Sequence, residues 1–106
     1  MPDPVLCLST CPDTETAARI ARALVEARLA ACVNLLPGVR SIYRWQGAIQ
    51  DEGEVQLIIK TTRERLPRLR EQLQALHPYE VPELVEVAIE GGLPEYLAWI
   101  AAETAP

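Results

Sequence analysis

Apolar and polar positions along the chain change period several times, and each change marks a predicted element. Residues 5–10, Val5-Leu6-Cys7-Leu8-Ser9-Thr10, are apolar on both alternating faces, as in a strand buried on two sides, and Cys11-Pro12-Asp13 ends the run. Asp13 or Thr14 is placed to cap a helix whose positions Ala17, Ile20, Ala21, Leu24 and Val25 form one apolar stripe opposite Arg19, Arg22 and Glu26. A second strand follows over residues 31–36, Pro37-Gly38 introduces a turn or bulge, and the strand resumes over 39–45. After a turn at Gln46-Gly47 the chain returns through Ile49 to Thr61, with Val55, Leu57 and Ile59 alternating with Gln56 and Ile58. The pattern predicts one long hairpin kinked on its outgoing arm, and the polar run Gln50-Asp51-Glu52-Gly53 predicts a second kink on the return arm.

Leu66, Leu69, Leu73 and Leu76 mark the second helix. Thr61 with Glu64 has the spacing of a capping box, but Pro67 cannot sit inside a helix without losing a backbone bond, so the regular helix is placed to start near Glu64 or Arg65. Val85, Val87 and Ile89 alternate with Glu86, Ala88 and Glu90 as a last strand. Gly91-Gly92 then turns the chain, and Pro94 suits the start of a short helix that buries Leu97, Trp99 or Ile100.

This order predicts a single α+β domain over residues 1–106. It is the ferredoxin-like split βαβ arrangement (βαββαβ), with a long central hairpin and a short C-terminal helix. Right-handed crossovers place both main helices on one face of the sheet, leaving the other bare. Since the first strand is apolar on both faces, something besides this chain's own helices is expected to cover it. A hairpin arm of roughly 13 residues reaches about 43 Å, against about 24 Å for a first helix of roughly 16 residues. The hairpin therefore overhangs, carrying Ile42, Tyr43, Trp45 and Ile49, and is expected to dock on neighbouring copies in a closed ring.

Composition narrows the function. An apolar share of 49% and a charged share of 24% describe an ordinary globular chain. Net charge of -5 with pI near 4.8 disfavours nucleic acid, which needs clustered basic residues; the same sign suits a cation or simply keeps the chain in solution. No apolar run approaches the ~20 residues needed to span a bilayer, so no membrane partner is expected. Cys7, Cys11 and Cys32 form an odd set without paired spacing; with no leader-like opening, they predict a reducing cytoplasm.

The chemistry concentrates in residues 77–83, His77-Pro78-Tyr79-Glu80-Val81-Pro82-Glu83, a loop stiffened by two prolines. His77 is the leading metal-ligand candidate, with Glu80 or Glu83 as oxygen donors; alternatively it caps the last carbonyls of its helix. Cys11, expected to be exposed at the C-terminal edge of the sheet, is either a second candidate ligand or structural, whereas Cys7 and Cys32 read as core thiols. His77 and Cys11 are too few for a tight site, so a neighbouring subunit or water must complete it. Tyr43, Trp45 and Tyr79 line a cleft or pack an interface. Lys60, the one lysine, could join Arg40 and Arg44 in holding an anion between subunits, or pair with Glu52 or Glu54. Enzymatic readings fare poorly: the chain has no glycine-rich phosphate loop or nucleophile elbow, and Asp13 would repel a phosphate after the first strand. An RNA-recognition domain would need aromatic platforms and a basic surface, and phenylalanine is absent.

Three stretches resemble the CutA divalent-cation-tolerance family: residues 29–38 (LAACVNLLPG), residues 41–47 (SIYRWQG) with Lys60-Thr61, and the 77–83 loop. The helical segments and Tyr96-Leu97-Ala98-Trp99 match in spacing. The resemblance implies a ferredoxin-like subunit, a homotrimer sealed by edge-to-edge strand pairing and similar to the PII signalling trimers, and a cytoplasmic protein associated with copper and other divalent cations. The function expected is that of a non-enzymatic, trimeric divalent-cation (copper) binding and tolerance protein. It requires no cofactor but takes Cu2+ or another divalent cation through His77, Cys11 and Glu80, with Ile42, Tyr43, Trp45 and Ile49 at the trimer interface. The alternative is a PII-like signalling trimer that binds a small anionic metabolite in an intersubunit cleft through Lys60, Tyr79, Glu83 and Arg44.

Overall fold

The computed structural model describes residues 2–106. β1 (Pro4–Cys11), α1 (Thr14–Glu26), β2 (Cys32–Trp45), β3 (Ala48–Thr62), α2 (Leu66–Leu76), β4 (Val85–Ala88) and α3 (Pro94–Glu103) follow in the order anticipated. The four strands form one antiparallel sheet in the order β2-β3-β1-β4, the ferredoxin-like arrangement.

Pleating decides which side chains reach the core. Val5, Cys7, Leu57 and Ile59 point to one face, where Ile20 and Leu24 of α1 and Leu69 and Leu73 of α2 close over them. Strictly paired residues share a face, so Leu6 lies with Val87 and Lys60, and Leu8 with Val85 and Ile58, on the other side. That side is open. Leu6 and Leu8 are only half-buried, and Leu36, Val85 and Val87 are 41%, 49% and 44% exposed. The apolar but uncovered face inferred from β1 is therefore present in the folded chain.

Asp13 caps α1 as anticipated, its Oδ1 accepting the Thr16 N–H at 2.7 Å, which holds the Asp13 carboxyl below its usual range. The second cap differs from expectation. Thr61 does not form a capping box with Glu64; its buried hydroxyl donates to the Leu29 carbonyl at 2.7 Å, and a 3-10 turn over Arg63–Arg65 leads into α2 with Pro67 in the first turn. Ile100 is the residue that α3 buries, while Trp99 stays 41% exposed. Arg28, held at φ 60, fastens α3 by donating from Nε to the Ala105 carbonyl and from Nη2 to that of Ala102.

The hairpin overhangs as argued. β1 pairs with β3 only from Val55 to Thr62, so residues 48–54 of β3 pair with β2 alone as a two-stranded ribbon, and the molecule extends 44 Å along its longest axis. Gln46 and Gly47, at φ 50 and 81, make the tight turn at the tip, with the twist that two-residue hairpin loops favour. The outgoing arm is bulged between Leu36 and Val39, where Gly38 takes φ 80. No second kink occurs: Gln50 to Gly53 pair in unbroken register with Tyr43 to Arg40. The Arg40 guanidinium gripping Asp51 at 2.6 and 2.8 Å reinforces that ladder, raising Arg40 and holding Asp51 below the ordinary carboxyl range.

Candidate functional site

The C-terminal end of β1 and the loop after α2 meet at His77. Pro78 disfavours helical geometry in the residue before it, and His77 accordingly ends α2 with extended backbone at φ -81, ψ 136. Its ring turns back into the domain. Nε2 lies 2.7 Å from the Thr10 carbonyl, which can only accept, so Nε2 carries the proton. Nδ1 is then free to accept, and it takes the Tyr79 backbone N–H at 3.1 Å. The imidazole fastens the loop to β1 across 67 residues of sequence. His77 therefore caps α2 only through its backbone N–H, which donates to the Leu73 carbonyl at 2.9 Å, while both ring nitrogens are engaged elsewhere within the chain.

Cys11 Sγ sits 3.8 Å from His77 Nε2, so the two candidates are brought together. The expectation that Cys11 is exposed is corrected: it is fully buried, because it continues the inward parity Val5-Cys7-Ser9. Burial foremost, with nearby Asp13 and Glu54 adding repulsion, pushes its thiol up to about 11. It is thus protonated at neutral pH, which disfavours thiolate ligation. Burial likewise pushes Cys7 up to about 11, in keeping with a core thiol. Cys32 is only half-buried, opposite Lys60 on the open face, rather than in the core.

Beyond the latch the loop forms one wall of a cleft of about 670 Å³, and the overhanging ribbon forms the other. Tyr43, Trp45, Glu54, Tyr79, Glu80 and Glu83 line it, and no lysine, arginine or histidine does among the described residues. Tyr79, its ring 4.7 Å from that of His77, donates its hydroxyl to Glu54 Oε2 at 2.8 Å, and Tyr43 donates to Glu52 Oε1 at 2.6 Å. Burial and the Glu54 hydrogen bond raise Tyr79, and the Glu52 hydrogen bond pushes Tyr43 up to about 12. Both phenols therefore stay protonated and serve as donors to the carboxylates of β3. Glu52 and Glu54 escaped the sequence reading as partners of the tyrosines; their spacing of two on the return arm was the available signal.

The remaining candidates separate. Tyr79 and Glu83 line the cleft, but Lys60 and Arg44 do not. Lys60 pairs with Leu6 and Cys32 on the open face and sets its Nζ 5.7 Å from the Tyr96 ring centroid, while Arg44 pairs with Ile49 near the ribbon tip. The basic set proposed for an anion does not assemble around the cleft of one chain. Ile42, 66% exposed, lines the cleft from the ribbon together with Tyr43 and Trp45, both 40% exposed, whereas Ile49, 62% exposed, does not. Among the described residues no three His, Cys, Asp or Glu side chains stand close enough to hold a metal ion.

Comparison with known proteins agrees with this architecture. Residues 5–103 match the family model described as CutA1 divalent ion tolerance protein. The chain is 53% identical over 97 residues to the divalent-cation tolerance protein CutA of Thermus thermophilus, covering 92% of this chain and 94% of that one. It is 50% identical over 91 residues to mouse Protein CutA, covering 86% of this chain but only 51% of the longer mouse protein. The crystal structure of CutA from Xylella fastidiosa superposes with a TM-score of 0.94 at 50% identity, covering 97% of this chain and 99% of that one.

Proposed function

The chain belongs to the CutA1 divalent ion tolerance family, and from that premise we propose that it is a non-enzymatic protein that binds divalent cations, copper among them, as a closed homotrimer. The observation that carries the proposal is the cleft itself, lined by Glu54, Glu80 and Glu83 with no basic side chain among its described lining residues. Such a lining attracts cations and repels anions. Glu80 and Glu83 are the oxygen donors on the loop side. Since among the described residues no three candidate ligands converge, water or a neighbouring copy completes the coordination. A given oxygen-donor site generally binds Cu2+ more tightly than the other divalent first-row ions, which favours copper.

In this reading His77 and Cys11 stand behind the ligands rather than among them: His77 fixes the loop that carries Glu80 and Glu83, and Cys11 packs against the imidazole. The half-bare sheet and the exposed Ile42 and Ile49 support assembly, since a trimer would cover them. Three unpaired thiols suit a reducing compartment such as the cytoplasm.

Calorimetric titration of Cu(II) at fixed ionic strength tests the ligand assignment. The double substitution Glu80→Gln, Glu83→Gln is expected to weaken binding by about tenfold or more. Binding as tight as that of the unsubstituted protein would remove these carboxylates from the site.

A further inference from the structure

The shape of the cleft carries a conclusion beyond metal binding. Its volume of about 670 Å³ lies within the ~300–1,000 Å³ typical of pockets for small organic molecules. Its carboxylates come from both walls, Glu54 from the ribbon and Glu80 and Glu83 from the loop, and among the described residues no three acidic, His or Cys side chains gather around one point. Between them lie the aromatic side chains of Tyr43, Trp45 and Tyr79, with Pro78 and Val81 adding apolar surface. Both tyrosine hydroxyls are committed as donors to Glu52 and Glu54, which restrains the rings and leaves their oxygens only lone pairs to offer. The lining is thus rich in acceptors and negative charge and carries aromatic rings on both its ribbon and its loop wall. A compact ion satisfies the carboxylates one place at a time; a flexible chain with separated positive groups satisfies several at once.

We propose that the cleft binds an elongated organic cation, a linear di- or polyamine, with its ammonium groups on Glu54, Glu80 and Glu83 and its methylene chain against Tyr43, Trp45 and Tyr79. The aromatic faces attract ammonium groups and adjacent polarised methylenes through the ring quadrupole. They also discriminate: a hydrated inorganic ion of equal charge meets the same carboxylates but gains little from apolar walls. The ligand assignment goes beyond the metal reading and shares only the acidic lining with it.

Calorimetry with spermidine as the probe, at constant ionic strength and with Mg2+ as the charge control, tests the proposal on the assembled protein. Saturable spermidine binding is expected, at least about tenfold tighter than Mg2+ binding. Glu54→Gln, which keeps an acceptor for the Tyr79 hydroxyl, and Trp45→Leu, whose side chain is 40% exposed, should each weaken it by about fivefold. Equal affinity for spermidine and Mg2+ would show that the cleft reads charge alone and would overturn the proposal. So would spermidine affinities in both variants equal to that of the unsubstituted protein. The two readings fail separately: loss of spermidine binding with Cu(II) binding intact refutes only the polyamine site, and the reverse refutes only the metal assignment.

Discussion

Replacing His77 with alanine probes the latch that shapes the cleft. The substitution removes a buried donor 2.7 Å from the Thr10 carbonyl and the acceptor for the Tyr79 N–H, and it opens a ring-sized space beside Cys11. Leaving a buried partner unsatisfied costs about 1–3 kcal/mol. Lost packing of a side chain only 7% exposed adds about 1 kcal/mol. A total of roughly 3 kcal/mol corresponds to a fall in Tm on the order of 10 °C for a domain of this size. Urea unfolding at fixed protein concentration measures the stability, the concentration being held because assembly contributes by mass action. Amide hydrogen exchange at Tyr79 reads the loop directly, and protection there should fall further than in α1. His77→Gln, whose amide can still donate to Thr10, should recover part of the loss. If His77→Ala unfolds within about 0.5 kcal/mol of the unsubstituted protein and Tyr79 keeps its protection, the imidazole is not what fastens the loop.

Three further outcomes follow from the geometry. Thr61→Val removes the buried hydroxyl that serves the Leu29 carbonyl and should cost about 1–3 kcal/mol in denaturant unfolding, whereas a capping-box residue at that place would mainly fray α2. Gly38→Ala and Gly47→Ala meet no atom within 4 Å, so each should cost only the backbone strain of a positive φ, about 1–2 kcal/mol in the same assay. The folded thiols of Cys7 and Cys11 titrate near 11 against an ordinary 9.0, so the unfolded chain releases its protons first. Stability is then fully kept below pH 9 and lost as pH rises from 9 towards 11; Cys7→Ala and Cys11→Ala should each flatten that slope in a pH series of urea melts.

Local signals carried the fold. The stripe from Ala17 to Leu24, the Asp13 cap, the Pro37-Gly38 bulge and the Gln46-Gly47 turn each depend on neighbours a few residues apart, and the structure contains all four; Val25, the last expected member of the stripe, stays exposed. What failed depended on distant partners or on parity. Thr61 has two chemically adequate uses, and only the approach of Leu29, 32 residues away, selects the second. Gln50 to Gly53 look like a break until Tyr43 to Arg40 pair across from them. The burial of Cys11 was legible by counting inward positions in twos from Val5, had the strand been extended one residue beyond Thr10. At the site, the proline-stiffened loop and its candidate histidine were evident from sequence. That the imidazole ties the loop to Thr10, and that Lys60 lies on the open face instead of in the cleft, follow from strand register.

Crystals soaked in Cu(II) and measured at the copper absorption edge address the cation-binding claim at its centre. The account predicts an anomalous peak in the acidic cleft, against Glu80 or Glu83, with the His77 ring still bonded to Thr10 and Tyr79. A peak on the His77 or Cys11 side chain with the loop released, or no copper in the cleft at all, would contradict it.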